Sequence, residues 1–131
     1  MQHPEFLKKE DVIRIHDELV SETGESLTIL NEGSLESALY QPEAGFGEEY
    51  FHPTIYEQAS AYLFHIACNH AFEQGNKRTA FAAMVTFLNV NDYDIEITEE
   101  EAEKLTVQVV THEITKEELP NILKNYITSL I

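Results

Sequence analysis

The most constraining feature of the sequence is a pair of long apolar segments separated by a largely polar connection of ten residues. Residues 55–68, IYEQASAYLFHIAC, and residues 79–90, TAFAAMVTFLNV, are apolar on most faces when they are wound as helices. A helix that is apolar nearly all round has to be packed on several sides. The connection between them, NHAFEQGNKR, is short and polar. The sequence therefore predicts a central helical hairpin with this connection at one end.

Shorter elements are predicted before the hairpin. KKEDVIRIHDELVSETG is typical of an amphipathic helix that stops at Gly24. SLESALYQ predicts a short helix capped by Ser34. The segment PEAGFGEEYFHP has two glycines and a proline at each end, which indicates a turn-rich loop or a short hairpin. We expect Pro53 to lie in the first turn of the helix that follows.

The residues after the hairpin predict a short extended piece and two more helices. NDYDIEI is interpreted as a turn followed by extended chain. Thr98 with Glu101 and Thr115 with Glu118 have the spacing of capping boxes, so each pair predicts the start of a helix. The last helix, from TKEELPNILKNYITSLI, is expected to be distorted near Pro120. Together the elements predict a mainly α fold, a helical bundle around the central hairpin, as one domain over residues 1–131.

Composition indicates the cellular location expected for this domain. No apolar run approaches the ~18 residues that span a bilayer, and MQHPEFLKKEDV lacks the pattern of a signal peptide. Cys68 is the only cysteine, so no intramolecular disulfide is possible and a cytoplasmic location is expected. His65 and Cys68, three residues apart, are interpreted as core residues rather than metal ligands.

The charge distribution points to one place in the chain. The formal net charge is -16, which argues against nucleic acid and anionic membranes as partners. Between residues 15 and 103 the only basic residues are Lys77 and Arg78, in the connection of the hairpin. A small phosphorylated ligand could still bind where positive charge is concentrated in this way.

The connection has the features of an anion site. If the second central helix begins near Asn76, its first N–H groups have no helical partners and carry the positive end of the helix dipole. Gly75 allows a turn in which successive N–H groups converge on an anion. Lys77 and Arg78 oppose the dipole in a first helical turn, and a bound phosphate would remove that conflict.

His70 lies on the other side of the same connection. It could accept a proton from an attacking hydroxyl while the helix terminus holds the group that is transferred. Phe72, between them, is expected to point inward and anchor the loop. The alternative is a helix cap with solvated charges and no chemistry. His16 and His112 are interpreted as ordinary histidines.

The segment HAFEQGNKRTA resembles the signature of the Fic/Doc superfamily, H-x-F-x-[D/N]-[G/A]-N-[G/K]-R. The likeness runs from about Asp11 to the carboxyl terminus, and includes LESAL, the flap before the central helix and NKRTA. It implies a helical Fido fold and transfer of part of a nucleoside triphosphate, such as ATP, to a protein hydroxyl. His70 then matches the catalytic histidine and Phe72 the buried anchor.

The resemblance also implies roles for the rest of the loop. Gly75 and Asn76 match the anion-binding nest, and Arg78 matches the arginine that holds phosphate. Adenylylating Fic proteins usually have glycine at the position of Lys77 and a second arginine at that of Phe81. Both residues here are similar to those of Doc toxins, which transfer the γ-phosphate to a threonine of elongation factor Tu.

Gln74 departs from the family pattern. Its position usually holds Asp or Asn, and the Asp binds the Mg²⁺ that bridges the phosphates. A glutamine oxygen is neutral, whereas Mg²⁺ prefers anionic oxygen ligands. Metal binding could be impaired, water and nucleotide oxygens could complete it, or another acid such as Glu73 could substitute.

The sequence thus predicts a Doc-type toxin of a toxin–antitoxin pair, an enzyme similar to a protein Ser/Thr kinase. Its expected partners are a translation factor as substrate and an antitoxin with a disordered tail. The flap, about residues 43–52, would align the target backbone by strand addition. Two alternatives stay open: an adenylyl transferase, and a catalytically weak Fido domain that only binds nucleotide or a partner protein.

Overall fold

The computed structural model describes residues 3–131. Helices dominate this part of the chain, and two small antiparallel sheets complete it. The helices are α1 (Lys9–Thr23), α2 (Glu32–Tyr40), α3 (Ile55–Cys68), α4 (Asn76–Val90), α5 (Glu99–Val110) and α6 (Leu119–Leu123), with a 3-10 turn at Gln41–Glu43. The strands are β1 (Gly45–Phe46), β2 (Glu49–Tyr50), β3 (Tyr93–Ile95) and β4 (Ile127–Ser129). The prediction of a mainly α fold is confirmed.

The α3–α4 hairpin forms the centre of the core. Tyr62 of α3 and Phe87 of α4 are fully buried, with ring centroids 4.8 Å apart. Helices α1 and α5 pack against α4, and α2, α5 and α6 pack against α3, so both central helices are covered on several sides. This arrangement explains why residues 55–68 and 79–90 are apolar nearly all round.

The short elements before α3 differ in detail from the predictions. Helix α1 ends at Gly24 as predicted, with this glycine at a left-handed φ of 72°. Helix α2 begins earlier than predicted, because the side chain of Asn31, not of Ser34, caps it and accepts from the Ser34 N–H at 2.9 Å. Pro53 precedes the α3 N-cap, Thr54, and therefore lies outside the first turn.

The predicted flap is a hairpin with two-residue strands. Gly45 pairs with Tyr50 and Phe46 with Glu49. Phe46 and Phe51 are 83% and 65% exposed, so this hairpin presents aromatic rings to solvent beside α3.

The carboxyl-terminal prediction was wrong in two respects. The Thr115–Glu118 pair forms the reciprocal hydrogen bonds of a capping box, but α6 begins only at Leu119 and ends at Leu123. Residues 127–129 form β4, which pairs with β3 in the register Tyr93 to Ser129 and Ile95 to Ile127. Pairing with β4 provides hydrogen-bond partners for β3, an interaction between residues that are far apart in sequence.

None of the helices in residues 3–131 combines the length and the apolar character needed to cross a bilayer.

Candidate active site

The connection between α3 and α4 borders an open cleft of about 360 Å³. His70 follows the end of α3 and has a left-handed backbone, with φ of 51°. Its side chain is exposed and faces this cleft. The other residues that line the cleft are Glu25, Ala67, Glu73, Gln74, Gly75, Asn76, Lys77, Arg78 and Val110. The structure therefore brings the predicted base and the predicted phosphate-binding residues to one place.

Gly75 turns the chain into α4 at a position where no other residue fits well. Its φ is +85°, and a Cβ added to it would lie 2.7 Å from Cγ1 of Val20. The first helical hydrogen bond of α4 runs from the Thr79 N–H to the Gly75 carbonyl at 2.9 Å. The N–H groups of residues 76–78 precede it and have no helical partner, so they are available at the positive end of the helix dipole.

Asn76 holds the loop in shape through its side chain. Its Oδ1 accepts from the Phe72 N–H at 3.0 Å, and its Nδ2 donates to the Phe72 carbonyl at 2.8 Å. The side chain of Asn76 is thus bound to the loop itself, so any contribution of Asn76 to an anion site would come from its backbone N–H.

Phe72 is 1% exposed and lies against α1. Its ring is stacked on that of His16, with centroids 3.7 Å apart and an interplanar angle of 9°. His16 is fully buried and contacts the loop directly, since its Nε2 lies 2.8 Å from the Gln74 carbonyl oxygen. This contact was not predicted from the sequence. The available signal was a histidine on the face of α1 that also carries Val12 and Val20, both buried.

The two basic residues of the loop are exposed and differ in their contacts. Lys77 makes no ion pair within residues 3–131, whereas the Arg78 guanidinium pairs with the Glu25 carboxylate. A hydrogen bond from the Thr23 hydroxyl and the Arg78 contact lower the pKa of Glu25. Glu25 was not identified from the sequence, because nothing local connects it to a residue 53 positions further along the chain.

Gln74 is directed toward the segment between α1 and α2. Its Oε1 accepts from the Ser26 N–H at 3.1 Å, so this oxygen already has a partner. Two carboxylates, of Glu25 and Glu73, line the cleft beside it. Mg²⁺ is commonly held by one or two carboxylates together with substrate phosphates, so the donor set suits Mg²⁺ once a nucleotide is bound. Within residues 3–131 no group of three or more metal-ligating His, Cys, Asp or Glu residues exists.

A second groove, of about 590 Å³, adjoins the cleft and shares Lys77 and Arg78 with it. Helices α4 and α5, the end of the segment that precedes α5 and one residue of α1 line the rest of it. Most of these residues are apolar, with two acidic residues among them; they are Leu19, Phe81, Ala82, Ile97, Thr98, Glu99, Ala102, Glu103, Thr106 and Val107. The positive end of α4 is therefore open to a polar cleft on one side and a largely apolar groove on the other.

A central helical hairpin whose connection joins a histidine to a basic helix N-terminus defines the class of Fido-fold proteins. The model of the Fic/DOC family matches residues 6–88, and the chain therefore belongs to this family. It is also 35% identical over 115 residues to Toxin Doc of Mycolicibacterium smegmatis, an alignment that covers 83% of each chain. The family resemblance noted in the sequence, including its Doc branch, is confirmed.

Proposed function

We propose that this protein is a Doc-type toxin that transfers the γ-phosphate of a nucleoside triphosphate to a Ser or Thr hydroxyl of a protein. One observation carries the proposal: His70 and the open N-terminus of α4, with Lys77 and Arg78, line the same cleft. The likeness to Toxin Doc supports the toxin assignment, and the family match supports transfer to a protein. The expected target is a translation factor such as elongation factor Tu.

His70 is the proposed general base. Its ring is exposed to the cleft, where an incoming hydroxyl can reach it. As the hydroxyl oxygen attacks the γ-phosphorus, the ring nitrogen takes the hydroxyl proton and the bond to the β-phosphate oxygen breaks. The nucleoside diphosphate leaves with the electron pair of that bond.

The phosphate groups are proposed to lie against the start of α4. Residues 76–78 line the cleft and their N–H groups have no helical partner, and Lys77 and Arg78 add formal positive charge at the same end. Phosphoryl transfer depends mainly on positioning and on neutralising negative charge, and such a site supplies both.

The nucleoside would occupy the apolar groove that begins at Lys77 and Arg78. Phe81 lies in that groove and offers an aromatic face to a base. Glu73 and Glu25 are the side chains that would hold Mg²⁺, with nucleotide oxygens as further ligands. When bound, Mg²⁺ neutralises charge on the phosphates.

Two protein partners follow from the proposal. The β1–β2 hairpin has short strands and exposed aromatic rings, and it would align the backbone of the target by strand addition. An antitoxin with a disordered tail would fold on the toxin surface. Because the net charge of this chain is -16, we expect that tail to contain basic residues.

The proposal is tested by incubating the protein with elongation factor Tu and Mg²⁺, with label on the γ- or the α-phosphate of ATP. We expect the γ label to transfer, and His70→Ala to reduce transfer by about 100-fold to 10,000-fold, the usual contribution of a general base. His112→Ala, an exposed histidine that does not line the cleft, is the matched control. Full activity of His70→Ala would exclude the mechanism.

A second candidate is a catalytically weak Fido domain that binds nucleotide. The hydrogen bond between Gln74 Oε1 and Ser26 favours it, since this oxygen is occupied at the position where the family usually has a metal ligand. Binding of ATP without transfer of either label would support this candidate. Transfer of the α label would instead support adenylylation.

A further inference from the structure

We infer that His16 is a positioning residue for the phosphate-binding loop, acting through the backbone carbonyl of Gln74. The contacts of His16 do not depend on the proposed function. Only the expected effect of His16 on nucleotide binding rests on it. His16 lies in the middle of α1, 58 residues before Gln74, and its side chain is fully buried.

The hydrogen bonds of His16 fix the orientation of its ring. Nε2 lies 2.8 Å from the Gln74 carbonyl oxygen, and Nδ1 lies 2.9 Å from Oδ1 of Asp17. The Gln74 carbonyl oxygen can only accept, so Nε2 carries the hydrogen of this bond and donates it. A ring held at both ends cannot rotate without losing a hydrogen bond.

The ring also supports the loop by direct packing. It is stacked on Phe72 at 3.7 Å, and a Cβ on Gly75 would lie 3.5 Å from its Cδ2. His16 therefore contacts the loop at Phe72 and at Gln74, and its ring lies beside Gly75. Gln74 and Gly75 are the last residues before α4, so their orientation decides where the open N–H groups of α4 point.

This contact is separate from the other ties of the loop. Asn76 binds Phe72, which fixes the inside of the turn. The Glu73 N–H donates to the Thr28 carbonyl at 3.1 Å, which fixes the outer edge. Only His16 holds the Gln74 carbonyl within residues 3–131, so loss of its Nε2 donor leaves that carbonyl without a partner.

The test compares His16→Phe with His16→Gln and His65→Phe. Phenylalanine keeps a flat ring against Phe72 but removes the donor, whereas glutamine keeps an N–H donor. His65 on α3 is a half-buried histidine whose Nε2 has no partner, so His65→Phe makes the same change without removing a hydrogen bond at that atom.

The first measurement is hydrogen exchange of the Glu73 and Thr79 amides in the free protein, with the Met84 amide in the middle of α4 as internal reference. In His16→Phe we expect exchange at Glu73 and Thr79 to rise by about tenfold relative to Met84, the equivalent of roughly one lost hydrogen bond. His16→Gln should restore part of the protection, and His65→Phe should match the unaltered protein.

The second measurement is the affinity for ATP by calorimetry. We expect His16→Phe to bind about tenfold more weakly while melting as a folded protein, and His65→Phe to bind as the unaltered protein does. Unchanged exchange at Glu73 and Thr79 in His16→Phe would overturn the inference. If His16→Phe does not fold, His16→Gln is compared with His16→Ala, because glutamine carries an N–H donor and alanine does not. Equal exchange at Glu73 and Thr79 in these two variants would then overturn the inference. If the unaltered protein fails to bind ATP, the proposed function fails, while the exchange data still decide the role of His16.

Discussion

At the scale of single residues, the site depends on which partner each charged group has. Arg78 is a proposed phosphate ligand, and its guanidinium is paired with Glu25. The Glu25 carboxylate also accepts from the Thr23 hydroxyl, which keeps it on the cleft side of α1. A nucleotide therefore has to compete with an internal carboxylate for Arg78.

Glu25→Gln is expected to strengthen nucleotide binding in the absence of Mg²⁺. The neutral amide competes less well for the guanidinium and does not repel the phosphates, so we expect ATP to bind about fivefold to tenfold more tightly. Calorimetric titration in the presence of a chelator measures this affinity without interference from the metal.

Glu22→Gln is the matched control for this variant. Glu22 is exposed near the end of α1 and makes no ion pair in residues 3–131, and its substitution changes the net charge by the same amount. Equal gains in both variants would show a general charge effect. Weaker binding by Glu25→Gln would mean that Glu25 holds Arg78 in its binding position.

At the scale of secondary-structure elements, α3 carries a histidine that burial keeps neutral. Burial, followed by the repulsion of Lys116, lowers the pKa of His65 from 6.5 to about 4. In the folded protein this ring stays neutral down to about pH 4, whereas in the unfolded chain it is protonated near pH 6.5. The unfolded state therefore binds more protons between these values, and the free energy of unfolding falls as the pH falls through this window.

We expect His65→Phe to lose this part of the pH dependence. The side chain is only partly buried, so after allowance for solvent screening the effect is about 1 kcal/mol between pH 6.5 and pH 4. Urea unfolding across this pH range should show the variant gaining stability relative to the unaltered protein as the pH falls. His112→Asn, at an exposed position, should give a curve parallel to that of the unaltered protein, and a parallel curve for His65→Phe would contradict the prediction.

At the scale of the whole molecule, the net charge of -16 opposes folding. Self-repulsion destabilises a compact state with a large net charge, and salt screens this repulsion. The amino-terminal end of α4, with Lys77 and Arg78, is a small region of positive charge on this negatively charged protein.

Salt is therefore expected to change stability and nucleotide affinity in opposite directions. Raising NaCl from about 20 mM to about 500 mM shortens the Debye length from roughly 20 Å to about 4 Å. We expect the melting temperature to rise by a few degrees and ATP binding to weaken. Measuring the melting temperature and the ATP affinity in choline chloride as well controls for specific binding of Na⁺. A melting temperature that falls with both salts would contradict the prediction.

Much of the architecture could be predicted because its signals are local. The two apolar segments could be stable only as covered helices, Gly24 and Gly75 marked a helix end and a helix start, and the HAFEQGNKRTA motif located the loop. Hydrophobic pattern and backbone preference act within a few residues, so they can be recognised without knowing the rest of the fold. The hairpin, the flap and the mainly α class followed from them.

The contacts that complete the site depend instead on residues distant in sequence. His16 under the Gln74 carbonyl, Glu25 on Arg78, Ser26 on Gln74 and β4 beside β3 each join positions that are more than 30 residues apart. No local pattern specifies such a pair, because a donor and an acceptor meet only when packing brings their elements together. The sequence alone therefore located the loop and predicted the chemistry proposed for its residues, whereas the packing of α1 against α4 set the partners that hold its residues in place.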